Sequence, residues 1–98
     1  MKSTHLENVK IEFEKNRKNE QIISIEQLPL AGSERIYFRL TSIEKNYIAT
    51  FSNNTIENIQ FIEWAKLFHL NKIPVPEIYF FNNDKSIYFQ EDVGVVSL

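Results

Sequence analysis

This 98-residue chain predicts an α+β fold: a five-stranded antiparallel sheet with one helix packed on it and a further helix at the N-terminus. Three observations lead there. The apolar residues switch several times between a helical period and a strand period, and each switch falls at a breaker. The segments run helix, three strands, helix, two strands, an order suited to an antiparallel sheet covered by helices. Short turns rich in Gly, Asn, Asp or Ser join the strand candidates.

Leu6, Val9 and Phe13 recur at helical spacing, with Ser3 or Thr4 placed to cap and Lys15, Arg17 and Lys18 near the end, which predicts a helix over about 4 to 18. Ile22, Ile23, Ile25 and Leu28 form a β-branched run that closes at Pro29. Ala31-Gly32-Ser33-Glu34 is the turn into a second strand over 35 to 41, and Ile43-Glu44-Lys45-Asn46 the turn into a third, Tyr47 to Phe51. Ser52-Asn53-Asn54-Thr55 offers several capping oxygens to a helix over 56 to 70, in which Phe61, Trp64, Ala65 and Phe68 build an apolar stripe expected in the core. Asn71-Lys72 ends that helix, and Pro74 and Pro76 forbid its continuation. The connector Ile73-Pro74-Val75-Pro76 leads to strands at Ile78 to Phe81 and Ser86 to Phe89, joined through an Asn-Asn-Asp-Lys turn.

An apolar content of 43% and this length suit one domain spanning 1–98. Eleven Lys and Arg against thirteen Asp and Glu leave a formal charge of -2, and the basic residues are scattered, which argues against nucleic acid as a partner. There is no cysteine, hence no disulfide framework or thiolate metal site, and His5 and His69 lie on different predicted elements. A cytoplasmic location fits. No apolar run approaches the roughly 18 residues that span a bilayer, so no membrane partner is expected.

Three motifs in order, Gly32-Ser33-Glu34-Arg35-Ile36-Tyr37-Phe38-Arg39, Ile73-Pro74-Val75-Pro76 and Tyr88-Phe89-Gln90-Glu91-Asp92-Val93-Gly94, resemble the nucleotide-binding lobe of the aminoglycoside phosphotransferase and amino-sugar kinase group, whose fold is that of the protein kinases. The resemblance covers roughly residues 21 to 98. It implies that the Gly32-Ser33 turn covers nucleotide phosphates and that Glu57 is the helix acid orienting a phosphate-binding cation. It also implies that Gln90, Glu91, Asp92 and Val93 form a hinge whose backbone meets adenine. The implied cofactor is ATP with Mg²⁺, and the implied reaction is phosphoryl transfer to a hydroxyl of an amino sugar or similar small molecule. The aspartate and the Mg²⁺ ligands would come from a second lobe absent from these residues, so no catalytic and no metal-binding residue is expected here.

Each assignment has a plainer counterpart. A glycine turn often only joins strands, a first-turn Glu57 favours the helix dipole, and Glu63 fits the solvated edge of the helix. His69, late in the helix, is expected to meet the dipole rather than a ligand. In the group a lysine stands on the third strand at the end of a Val-Ala-x-Lys pattern. Here the matching string is Tyr47-Ile48-Ala49-Thr50, and Thr50 occupies that place. An arginine of the second strand can replace the charge, since guanidinium forks suit phosphate oxygens. Arg35, Tyr37 and Arg39 alternate with Ile36, Phe38 and Leu40, so the expectation is that the arginine face joins Ile48 and Thr50 in the cleft and brings Arg39 or Arg35 within reach of Glu57. Two other classes remain open: a non-catalytic binding module that kept the half-fold, and an unrelated small α+β interaction domain. Apolar surface uncovered at the hinge side predicts self-association.

Overall fold

The computed structural model describes residues 2–29 and 35–92, with side chains from His5 onward. Its elements in chain order are α1 (Lys2–Asn16), β1 (Ile22–Gln27), β2 (Ile36–Ser42), β3 (Asn46–Phe51), α2 (Thr55–Leu70), β4 (Ile78–Phe81) and β5 (Ile87–Glu91). All seven expected elements are present, and the fold is α+β with a five-stranded antiparallel sheet. Two boundaries differ in an instructive way. Helix α1 starts at Lys2, so Ser3 and Thr4 lie within it instead of capping it. Strand β5 runs on to Glu91, because Gln90 pairs with both Ile48 and Ile78 and Glu91 pairs with Tyr47. Tertiary pairing thus extends a strand whose polar end reads locally as a loop.

The sheet order is β1-β2-β3-β5-β4. Helix α2 is the crossover that carries the chain from β3 past β5 to the outer strand β4, and the β4–β5 hairpin then returns β5 to the gap beside β3. On one face Phe38 and Leu40 of β2, Tyr47 and Ala49 of β3 and Ile87 and Phe89 of β5 pack with Val9 and Phe13 of α1. The Phe13 ring sits 5.0 Å from Tyr47 and 5.8 Å from Phe89. This is the apolar core, and period-2 alternation in β2 and β3 assigns its residues.

Glu20, in the α1–β1 connection, accepts hydrogen bonds from Ser42 Oγ and, at 2.7 Å, from Tyr47 Oη. Burial opposes ionisation of Glu20, but these two donors outweigh it and hold its carboxyl below the usual value. Burial, with the Glu20 hydrogen bond added, pushes the Tyr47 phenol up to about 12.

Helix α2 covers the opposite face. Asn54 caps it, its side chain accepting from Glu57 N at 3.1 Å. Its buried residues are Asn58, Ile62 and Ala65. Of the expected apolar stripe Ala65 is buried and Phe61 half-buried, whereas Trp64, at 63% exposed, and Phe68, at 37%, lie outside the core. A polar residue sets the rotation: Asn58 Nδ2 donates to Ser52 O at 3.3 Å and to Lys85 O at 2.8 Å, which turns the Asn58 side of the helix onto the sheet. The helix closes with Lys72 N–H on His69 O and Ile73 N–H on Phe68 O, a Schellman arrangement in which Lys72 adopts φ 61. Among the described residues no helix is long and apolar enough to cross a membrane.

Candidate functional site on the α2 side of the sheet

Directly paired residues of an antiparallel ladder project to the same side, so the register fixes what faces α2. One row runs Tyr37, Thr50, Tyr88 and Phe81; the next runs Glu26, Arg39, Ile48, Gln90 and Ile78. Arg35 precedes β2 on the side of Tyr37. The alternation that buries Phe38 and Leu40 under α1 therefore turns Tyr37 and Arg39 toward α2.

Arg35 is the best-defined group on this side. Its Nη1 donates to Tyr88 Oη at 2.8 Å, and its Nη2 lies 3.2 Å from Glu57 Oε1. The Arg35 side chain is 16% exposed and that of Glu57 58%. Burial works against the Arg35 cation, but Tyr88 and Glu57 outweigh it, and its pKa ends above the ordinary value. Tyr88 is fully buried, and burial raises its phenol while the neighbouring Arg35 pulls it back only in part. The ring of Tyr88 stacks on Phe61 at 5.4 Å with an interplanar angle of 26°. Glu57 from α2 and Tyr88 from β5 thus hold two donors of one guanidinium fork, fixing its plane.

Arg39 takes a different partner. Its Nε donates to Asp92 Oδ2 at 2.9 Å, and the Asp92 side chain is only 4% exposed. The pair spans β3, passing over the row that holds Ile48. Of the two arginines on this face, Arg35 is the one that meets Glu57.

Thr50 is completely buried, and its hydroxyl lies beside the phenol of its cross-strand neighbour Tyr88, which it helps to hold; Asn58 Oδ1 is buried with no hydrogen-bond partner among the described residues. A buried amide oxygen without a partner costs free energy on the order of 1–3 kcal/mol, which a water would recover. Ile48, 7% exposed, supplies apolar surface in the adjacent row.

The hinge residues divide. Gln90 presents its side chain to the α2 face, while its backbone lies between β3 and β4. Glu91 projects to the other face, its N–H donating to Glu77 O at 2.8 Å and its carboxylate accepting from Glu77 N. The Glu91 amide is therefore committed to the sheet edge. Gly32, Ser33 and Val93 lie outside the described residues. Glu63 and His69 are exposed on α2. No group of three or more metal-ligating side chains is found among the described residues.

A cleft of ≈ 810 Å³ lies elsewhere, open between α1 and β1 and lined by Lys10, Arg17 and Lys18 together with Glu14 and Glu20. Its charges nearly balance. The convergence of a fixed guanidinium and two tyrosines makes the α2 side the stronger candidate for recognition. Tyr88 opens the hinge motif in the sequence, but nothing there gives its phenol a role, because a β5 aromatic reads as ordinary core.

Comparison with protein-family models, curated proteins and solved structures gives no match to any of the three.

Proposed function

We propose that this chain is the nucleotide-binding lobe of an ATP-dependent phosphotransferase that acts on a hydroxyl of an amino sugar or similar small molecule, with Arg35 supplying the cation missing from β3. The observation that carries the reading is the pairing of Arg35 with Glu57 of the crossover helix, on the same side of the sheet as Thr50. A kinase-like lobe needs a cation oriented by a helix acid, and Thr50 cannot provide the charge. Arg35 stands one register row from where that charge would originate, since Thr50 pairs with Tyr37, two residues beyond Arg35.

Fit to the nucleotide can be tested on the residues themselves. A planar guanidinium held by Glu57 and Tyr88 matches the oxygens of a phosphate. Ile48 offers an apolar wall for a base. The described residues contain no group of three or more His, Cys, Asp or Glu side chains that could hold Mg²⁺, and the metal ligands would come from the second lobe. ATP, when bound, would supply the phosphoryl group. Arg35 would neutralise and orient its phosphates, Glu57 and Tyr88 would keep the guanidinium in plane, and burial of Tyr88 would keep its phenol neutral as a hydrogen-bonding partner.

Amide shifts on titration with MgATP test this directly. The expected result is weak, saturable binding with shifts at Arg35, Tyr37, Thr50 and Tyr88, weakened about tenfold or more by Arg35→Ala and less by Arg35→Lys, as for loss of a charge-assisted contact. Shifts confined to the cleft between α1 and β1, or binding indifferent to Arg35, would remove the nucleotide site from the α2 face.

A further inference from the structure

Arg39 stands on the α2 side in the row that holds Ile48 and Gln90, and Asp92 follows the end of β5. Their 2.9 Å bond therefore crosses β3, the strand between β2 and β5. The Asp92 side chain is 4% exposed and that of Arg39 28%, so the carboxylate is enclosed while part of the guanidinium arm faces out. Ile48, over which the pair passes, keeps only 7% of its surface open. At this point of the face Arg39 offers a ligand the broader surface.

Two features separate Arg39 from Arg35. The first is charge. Glu57, the partner of Arg35, is 58% exposed and screened by solvent, whereas the enclosed Asp92 cancels the charge of Arg39 more completely. Arg35 thus keeps more attraction for an anion. Because the hydrogen bonds of a guanidinium lie in its plane, Asp92 occupies an edge of Arg39 and fixes that plane without covering its faces. The second feature is position. Four residues of β2 put the two arginines about 13 Å apart along the strand, a spacing that suits the base and the outer phosphates of one extended nucleotide. Arg39 is at the end where Gln90 and Asp92 stand, the residues whose motif resembles an adenine hinge.

Resting on the nucleotide reading above, we propose that Arg39 is the platform on which the purine base stacks, its plane set by Asp92, while Arg35 holds the phosphates. A flat aromatic ring gains from a parallel guanidinium through stacking and cation–π attraction, whereas a phosphate gains little from a charge already cancelled. Asp92 acts through Arg39 and is a positioning residue.

Titrations of the intact chain with adenosine, inorganic triphosphate and MgATP, followed by amide and side-chain shifts, separate the two arginines. Truncating Arg39 alone would strand the enclosed Asp92 carboxylate. The variants are therefore Arg39→Lys, which keeps the charge without the plane, and the double change Arg39→Ser with Asp92→Asn, which removes both. Adenosine should move the Arg39 side-chain signals upfield, as a stacked ring does. Both variants should weaken adenosine and MgATP about tenfold while leaving triphosphate unchanged. Arg35→Ala should do the reverse, weakening triphosphate and MgATP and sparing adenosine. The amide spectrum of each variant verifies folding. Loss of triphosphate instead of adenosine in the Arg39 variants would make Arg39 a second phosphate cation. Adenosine affinity unchanged in both variants, or lost in the double change but kept in Arg39→Lys, would show that no stacking plane is used. Any of these results overturns the platform and leaves the nucleotide reading intact, whereas an unchanged chain that does not bind MgATP would overturn both.

Discussion

On the α1 side of the sheet, Val9 and Phe13 meet Phe38, Leu40, Tyr47, Ala49, Ile87 and Phe89, and stability there is a matter of shape and apolar area. On the α2 side, three helix residues are buried, one of them Asn58, and the sheet beneath offers Thr50, Tyr88 and two arginines engaged with carboxylates. The first side contains aromatic rings at 5.0 to 6.2 Å around Phe13, the second a hydrogen-bonded fork around Arg35. A sheet of five strands can therefore commit one face to holding itself together and keep polar groups, including unpartnered ones, on the other. Buried polar groups cost stability unless something uses them. The contrast is what directs attention to the α2 face as the functional one.

Truncation tests the contrast most severely. Phe13→Ala is expected to cost about 3–5 kcal/mol, since it empties the centre of the α1-side core, whereas Ile62→Ala beneath α2 should fall near the low end of its class, about 2 kcal/mol. Denaturant unfolding of both variants gives the comparison, and a larger loss at Ile62 would reverse it.

The second test concerns protons. Because the folded chain holds the Glu20 carboxyl below its ordinary value of 4.5, it favours the ionised form; the stability this contributes is fully present above about pH 4.5 and is lost as pH falls through the lower folded value. Tyr47 behaves in the opposite sense. Its phenol is raised from 10.0 to about 12, so the fold favours the neutral form, and that contribution is present below pH 10 and lost between 10 and 12. Unfolding midpoints measured from pH 6 to 3 should converge for the unchanged chain and Glu20→Gln, and those from pH 9 to 12 should converge for the unchanged chain and Tyr47→Phe. Parallel curves would show that the Glu20 network does not tie α1 to the sheet.

The smallest expected effect lies at the end of α2. Lys72 occupies a left-handed conformation that a β-carbon disfavours, so Lys72→Gly should stabilise the chain by about 0.5–1 kcal/mol, measurable as a rise in melting temperature. A loss instead would mean that the Lys72 side chain supports the helix end.

Element types and most boundaries were legible in the sequence because they rest on local signals: Pro29, Pro74 and Pro76, the Asn54 cap, and alternation along β2. The choice of arginine was legible only as a pair of candidates, since strand alternation puts Arg35 and Arg39 on one face without saying which meets Glu57. Asp92 decided it, by engaging Arg39 across β3. What misled was α2. Periodicity marks Phe61, Trp64, Ala65 and Phe68 for the core, of which Ala65 is buried, but the helix has two apolar sides, and the hydrogen bonds of Asn58 to Ser52 O and Lys85 O choose the rotation that leaves Trp64 and Phe68 outside. The Glu91 amide was likewise unreadable, because its acceptor on Glu77 comes from the connector leading into β4.

Both outer strands carry a break in register, between Ile22 and Ser24 in β1 and between Ile78 and Phe80 in β4, while the β2–β3 and β3–β5 ladders run without one. A kinked border is a poor template for an incoming strand, and the exposed Glu26 of β1 and the prolines ahead of β4 add to the obstruction. The sheet is thereby guarded against growing sideways into fibrils, even in a chain rich in β-branched and aromatic residues.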